Sequence, residues 1–193
     1  VVMNDARCTP LDANDFEPVF EENFEAMTST NPLGGNGWIT FTEVGRFNWR
    51  VLTSTDSGNP NSKIASMGAF RSGDASNISW MISPGINLDA QGLEFLNFQT
   101  SNSFADESVL EVLISTNWDG NSANVTTATW QKLPATIVSR SENFQNWVDS
   151  GAIDLSGFSG TAHIAFKYTG GDNAADTIDG TYEVDNVKIL VRK

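Results

Sequence analysis

The sequence predicts an all-β protein: a jelly-roll β-sandwich of two antiparallel sheets with roughly ten strands. Three observations predict it. Segments such as "WITFTEV", "WRVLTS", "SVLEVLIST" and "TAHIAFKYTG" alternate apolar and polar residues or run apolar for the length of a strand. Loops rich in Gly, Asn, Ser and Asp, such as "TDSGNPNS", "RSGDASN" and "NWDGNSANVTT", separate them. No segment sustains an apolar period of about 3.6 residues, which an amphipathic helix needs. Long loops between successive strands favour a jelly roll or Greek key over a simple meander.

The elements follow in order. Residues 1–15, "VVMNDARCTPLDAND", have weak periodicity and many turn formers, and are read as a linker or the tail of a preceding domain. The sandwich is expected over 16–193. "PVFEENFEA" opens it, and "TSTNPLGGNG" breaks the alternation. "WITFTEV" and "WRVLTS" flank a turn, and "KIASMGAF" and "ISWMISP" flank "RSGDASN". "LEFLNFQTS", "SVLEVLIST" and "ATWQKLPA" follow, then the short extended pieces of "NWVDSGAIDLSGFSG". "TAHIAFKYTG" and "TYEVDNVKILVRK" complete the pattern.

Composition narrows the function. The chain has 193 residues, enough for a substantial core, with 12 Phe and 6 Trp. Its formal net charge is −13, which repels phosphate backbones and anionic membranes, so nucleic acid is not an expected partner. No apolar run is long enough for a membrane-spanning helix. No charged-then-apolar leader opens the sequence, so any signal peptide is expected upstream or removed. The one cysteine, Cys8, rules out an intrachain disulfide. The one histidine, His163, sits mid-strand and is expected to pack there rather than act as a base. No nucleophile elbow, zinc-binding HExxH or phosphate-cradling glycine loop occurs. No acidic residue stands in a pattern that marks it as catalytic, so the chain is read as a non-enzyme.

Two strands carry carboxylates where a core is expected. In "FEENFE", Glu22 lies between Phe20 and Phe24 on one face. In "TYEVDNVKILV", strict alternation places Asp185 with Val187, Ile189 and Val191. A carboxylate facing a core is costly unless it is paired. In jelly rolls the terminal strands often lie side by side, and two inward carboxylates repel unless one is protonated or a cation lies between them. Ca²⁺ suits such oxygen donors. Alternatively, Asp185 caps a turn or pairs with Lys188 or an Arg, and Glu22 lies at a strand edge in water.

Ten ordered pieces carry a family resemblance. They are "FEENFE", "GW" at 37–38, Trp49, "SWMISPGINL" at 79–88, "LEFLNF" at 93–98, "EVLISTNWDG" at 111–120, "TWQKL" at 129–133, "WVDSGAIDLSGFSG" at 147–160, "IAFKYTG" at 164–170 and "VDNVKI" at 184–189. With these, the chain from Phe20 to Val191 resembles the choice-of-anchor J domains of Bacteroidetes. Those are related to the cleaved adhesin domains of gingipain-type proteins and to MAM-like jelly rolls. The resemblance implies a jelly roll with structural Ca²⁺, secreted or displayed at the cell surface as a module of a larger multidomain protein. It implies metal ligands at Glu22, Glu25, Asp74 and Asp185, with carbonyl ligands expected in the loop after Trp49–Thr53. It implies a role in glycan binding or adhesion, with a glycan or a cell-surface protein as partner. The opening "VVMNDARC" resembles the end of a small domain that precedes such modules in flavobacterial proteins.

The ligand site is sought among loop aromatics, because aromatics in polar loops are better binding candidates than those in strands. Trp118 in "STNWDGNSAN" and Phe104 in "SNSFADES", with Asp106 beside it, are the candidates. Trp38, Trp49 and Trp80 are expected in the core, and Trp130 and Trp147 in the core or half-buried. Arg46, Arg50, Lys63 and Arg71 are candidates for a local basic patch. An acidic module suits a neutral glycan or a protein better than a polyanionic sugar. The other expectation is a structural or adhesive spacer with no small ligand, contacting protein partners.

Overall fold

The computed structural model describes residues 13–55, 59–142, 144–175 and 177–193. Thirteen strands are described: β1 Phe16–Glu22, β2 Ile39–Val44, β3 Arg50–Thr53, β4 Lys63–Met67, β5 Asn77–Ile82, β6 Ile86–Asn87, β7 Glu94–Ser103, β8 Val109–Ser115, β9 Gln131–Lys132, β10 Val148–Asp149, β11 Ile153–Asp154, β12 Thr161–Gly170 and β13 Thr181–Arg192. The surplus over the expected number comes from two-residue pieces such as β6, β9, β10 and β11. Their sequences are too short to show a period. Of the expected linker or tail over 1–15, residues 1–12, with Cys8, lie outside the described residues, and Ala13–Asp15 form one turn of 3-10 helix.

The strands form two antiparallel sheets, as the alternation predicts. One runs β10-β7-β13-β4-β3, with β1 added on β13 and β11 on β7. The other runs β2-β5-β12-β8-β9, with β6 added on β12. The first and last strands pair side by side, Phe16 opposite Arg192 and Glu22 opposite Val187. Between the sheets lie Trp38, Trp49, Leu96, Phe98, Phe166 and Tyr168 with their aliphatic neighbours. Phe98 meets Phe166 edge-on at 5.1 Å between ring centres. Such a core is the main favourable term for an all-β domain.

Alternation fails in β13. Its pairing with β7 shifts between Asp185 and Lys188, and Asn186 adopts φ +54°. This is a β-bulge, which reverses the facing of every residue beyond it. Before the bulge, Val184 lies in the intersheet core; after it, Val187 and Ile189 do. Asp185 therefore does not share a face with Val187, Ile189 and Val191, contrary to strict alternation. It lies on the opposite side, where the edge of β13 passes from β1 to β4.

A second cluster covers the other face of the β2-β5-β12-β8-β9 sheet. Trp80, Ile82, Leu113 and Ala165 point outward there, and the β8–β9 loop folds Trp118, Val125 and Trp130 over them. Trp80 and Trp130 rings lie 5.4 Å apart, and Trp118 stands edge-on to His163 at 4.6 Å. His163 is thus packed, with Nδ1 bonded to the Ser83 carbonyl at 2.9 Å. All six tryptophans are buried or half-buried.

Candidate functional site

The carboxylates divide into three separate places. Glu22 is buried, as its position between phenylalanines predicts, but it is locally satisfied. It accepts from the Phe24 amide at 2.6 Å and from Asn36 Nδ2 at 2.9 Å. Asp74 accepts from the Arg46 amide at 2.9 Å and pairs with its Nε at 3.1 Å. Glu25 and Asp185 form the third place. Asp185, 1% exposed, accepts from the Asn186 amide at 2.7 Å and from Asn59 Nδ2 at 2.8 Å. Glu25 accepts from Ser62 Oγ at 2.6 Å and from the Lys63 amide at 2.9 Å. The Lys63 ammonium donates to the carbonyls of Glu25, at 2.9 Å, and of Met27. Among the described residues no three or more His, Cys, Asp or Glu side chains gather as a metal set. The four carboxylates expected as one set are not brought together.

Burial pushes the Asp185 carboxyl up to about 6, against the pull of its Asn186, Asn59 and Ser62 bonds, and the nearby Glu25 charge adds to the rise. Glu25 is held below its usual range, first by the Ser62 hydroxyl and then by the Lys63 amide. The loop after Thr53, the expected source of further ligands, supplies Asn59 and Ser62; residues 56–58 in it lie outside the described residues.

A second constellation lies at one end of the sandwich. There β7 ends beside the start of β13, with Ser103 opposite Thr181. There also β12 ends beside the start of β5, with Gly170 opposite Asn77. The two sheets join at this end through the Tyr168 hydroxyl, which donates to the Gly180 carbonyl at 2.9 Å. Among the described residues, eight large apolar side chains are exposed, and six of them lie in the loops and strand tips at this end: Val44, Phe47, Phe70, Phe104, Val109 and Phe144. Phe104 is 76% exposed and stands edge-on to Phe144, 57% exposed, at 5.2 Å. Beside them runs an open groove of about 400 Å³, lined by Asp106, Glu107, Val109, Arg140 and Tyr182 among others.

Asp106 sets this end in place. Its Oδ1 accepts from the Ser108 amide at 2.8 Å and the Ser108 hydroxyl at 2.6 Å, and its Oδ2 from the Gly180 amide at 2.8 Å. The carboxylate ties the β7–β8 loop to β13, so both its oxygens are engaged within the protein. Phe104 is the free aromatic the sequence predicts. Trp118 is not: it is 7% exposed, packs on Trp130 and His163, and donates from Nε1 to the Asn121 carbonyl at 2.9 Å. Its polar surroundings in sequence disguise a loop anchor. Phe70 and Phe144 were missed. Phe70 reads as the end of the strand "KIASMGAF", and no sequence pattern marks Phe144. The four expected basic residues do not form one patch. Arg46 pairs with Asp74 and the Arg71 guanidinium lies over Phe70 at 5.0 Å, both at the aromatic end, whereas Lys63 is at the Glu25 corner.

Residues 83–191, from the end of β5 through most of β13, match the family model described as Domain of unknown function (DUF5017). The chain belongs to DUF5017. No curated protein sequence matches it. Solved structures share the fold of this DUF5017 domain at low identity. The K1 cleaved adhesin domain of Lys-gingipain from Porphyromonas gingivalis W83 has a TM-score of 0.58 and 18% identity, over 90% of this chain and 98% of that one. The xylan-binding domain CBM22-1 from Paenibacillus barcinonensis Xyn10C has a TM-score of 0.51 and 11% identity, over 92% and 96%. TmCBM61, solved with β-1,4-galactotriose, has a TM-score of 0.51 and 13% identity, over 82% and 90%. The cleaved-adhesin likeness read from the sequence thus reappears in the fold, while the choice-of-anchor J likeness rests on the sequence motifs alone. No helix among the described residues is long and apolar enough to cross a membrane.

Proposed function

We propose that this DUF5017 domain is a non-catalytic binding module, secreted or displayed at the cell surface, which captures a glycan on the aromatic end of its sandwich. One observation carries the reading: the Phe104–Phe144 pair stands exposed there, with exposed Phe47 and Phe70 at the same end. Exposed apolar rings in contact with one another, as Phe104 and Phe144 are, mark interaction sites. Fold neighbours named for galactotriose and xylan support a sugar as the ligand. The test is affinity electrophoresis in gels containing xylan, mannan or galactan, with wild type and the Phe104→Ala/Phe144→Ala variant. Retardation of the wild type alone is expected. Equal mobility of both in every gel overturns the reading.

A second reading is a spacer or adhesive domain that contacts a protein. It is favoured by the tryptophans, all of which are buried or half-buried, and by the exposed rings being phenylalanine, which lacks a polar edge for sugar hydroxyls. It gains if no polysaccharide retards the wild type.

We also propose that calcium is held at the Glu25–Asp185 corner. The donors there are hard oxygens, two of them carboxylates, and burial and the Glu25 charge both raise the Asp185 carboxyl, a cost that a divalent cation would offset. Glu22 and Asp74 are committed elsewhere and do not fit the set. The Lys63 ammonium on the Glu25 and Met27 carbonyls is a competing cation. Native-state binding raises stability by mass action. Thermal unfolding in EDTA against millimolar Ca²⁺, with metal analysis of the same sample, checks it. A rise in wild type that Asp185→Asn abolishes is expected. A metal-free protein whose melting ignores Ca²⁺ ends the calcium proposal.

A further inference from the structure

The arrangement of the strand ends says more about the ligand than that it is a glycan. Phe104 immediately follows the last residue of β7, and Phe70 lies just past the end of β4. In the sheet β13 runs between these two strands. The Phe70 amide donates to the Asp179 carbonyl at 3.2 Å, and the next residue, Gly180, is bonded to Asp106 in the Phe104 loop. A Cβ on Gly180 would stand 2.6 Å from the Phe104 carbonyl oxygen, so only glycine lets the chain lie this close. One thread of backbone, bare of side chain at Gly180, therefore separates the two phenylalanine-bearing loops. On the far side of β7, the Gln145 amide donates to the Asn102 carbonyl at 2.9 Å, which brings Phe144 alongside Phe104.

We propose that a linear, uncharged polysaccharide lies across these strand ends, with alternate sugar units over Phe104 and Phe70 and the row extended by Phe144. The proposal rests on the glycan-binding reading above. Neighbouring strands are about 4.8 Å apart, close to the length of one pyranose unit along an extended chain. Two strand spacings separate β7 from β4, the strands that Phe104 and Phe70 follow, so a chain running across β7, β13 and β4 would meet an aromatic ring at every second unit. The Arg71 guanidinium lies over one face of the Phe70 ring at 5.0 Å, so a sugar would stack on the opposite face. Three carboxylates at this end are engaged: Asp106 by Ser108 and Gly180, Asp74 by Arg46, Glu107 by Arg140 at 3.3 Å. The net charge of −13 disfavours sulfated or uronic chains.

The test uses the 193-residue protein and calorimetric titration with dimers and hexamers of β-1,4-linked xylose, mannose and galactose, with wild type, Phe70→Ala and Phe104→Ala. Both side chains are largely exposed, at 56% and 76%, so the variants keep the fold, which an unchanged melting temperature verifies. A dimer is too short to reach both rings. For at least one sugar, the hexamer is expected to bind wild type about tenfold tighter than the dimer, a factor worth one aromatic contact. Phe70→Ala is expected to erase that advantage and leave dimer binding unchanged, and Phe104→Ala to weaken both. If the sugar binds and Phe104→Ala weakens it, but the hexamer gains nothing or Phe70→Ala costs nothing, the extended-chain proposal is overturned and the binding-module reading stands. If no oligomer binds the wild type, both are overturned.

Discussion

Glu25 and Asp185 meet at one hydroxyl. Ser62 Oγ stands 2.6 Å from Glu25 Oε1 and 3.4 Å from Asp185 Oδ2. A hydroxyl has one proton to give, and the shorter distance makes Glu25 its main acceptor and Asp185 the weaker one. Asp185 is left as the poorer-solvated member of the pair, buried where Glu25 is exposed.

That asymmetry fixes a sign for pH. The Asp185 carboxyl titrates at about 6 in the fold, against 3.8 as its ordinary value. A carboxyl raised by folding favours the native state when protonated, so its contribution is fully present below about pH 4 and lost as pH rises through 6. The shift of roughly two units corresponds to an upper bound on the order of 2–3 kcal/mol. In calcium-free buffer, the stability of wild type relative to Asp185→Asn should therefore increase from pH 7 to pH 4.5. Urea unfolding of both proteins at the two pH values checks this. A difference independent of pH would show that Asp185 has a charged partner in the native state.

Trp118 should behave as core. Its ring bridges Trp130 and His163, and its indole closes on the Asn121 carbonyl. Trp118→Ala is expected to cost about 3–4 kcal/mol, as for a buried aromatic, against about 0.5 kcal/mol or less for a free loop residue. Chemical denaturation distinguishes the two. Any calcium response should survive in this variant, because Trp118 touches none of the Glu25 or Asp185 partners.

Asn186 should tolerate only residues that accept positive φ. Its φ of +54° makes the bulge, and its Nδ2 donates to Gln99 Oε1 at 2.9 Å. Asn186→Gly should cost about 1 kcal/mol for the lost bond. Asn186→Val adds the penalty of a β-branched residue in the left-handed region, about 1–2 kcal/mol more. Equal stability of the two variants would mean that the bulge relaxes without cost.

Asp106 should act on binding only through the loop it holds. Asp106→Ala removes the acceptor for Gly180 and for Ser108, leaving a part-buried amide unsatisfied, and should cost about 1–3 kcal/mol. If instead stability is unchanged and sugar binding is lost, the carboxylate contacts the ligand directly.

The fold was legible because the strand pattern is local: alternation in "TAHIAFKYTG" and the turn-rich loops each act within a few residues. The adjacency of the first and last strands is not local; it was expected from the habit of jelly-roll folds. The facing of Asp185 was not, because one residue at positive φ inverts parity and nothing in "EVDNVK" separates a bulge from a plain strand except the tolerance of Asn for that region. Phe104 was legible as an aromatic in a polar loop. Trp118 has the same signature and the opposite role, since burial of a loop residue depends on what the loop folds over, here Trp80 and Leu113 of distant strands. The row from Phe144 to Phe70 joins residues far apart in sequence, which only the order β7-β13-β4 makes neighbours.

The side-by-side pairing of β1 and β13 has a mechanical consequence. Phe16 lies opposite Arg192, and the Lys193 amide bonds to the Asp15 carbonyl at 2.9 Å. The polypeptide thus enters and departs at one pole, and Phe104 sits at the other, where β13 begins. Tension applied through Asp15 and Lys193 would open the β1–β13 ladder like a zipper, one rung at a time from the Arg192 end. The strain would fall on that seam first, and the pole that bears the phenylalanines would be the last to feel the pull.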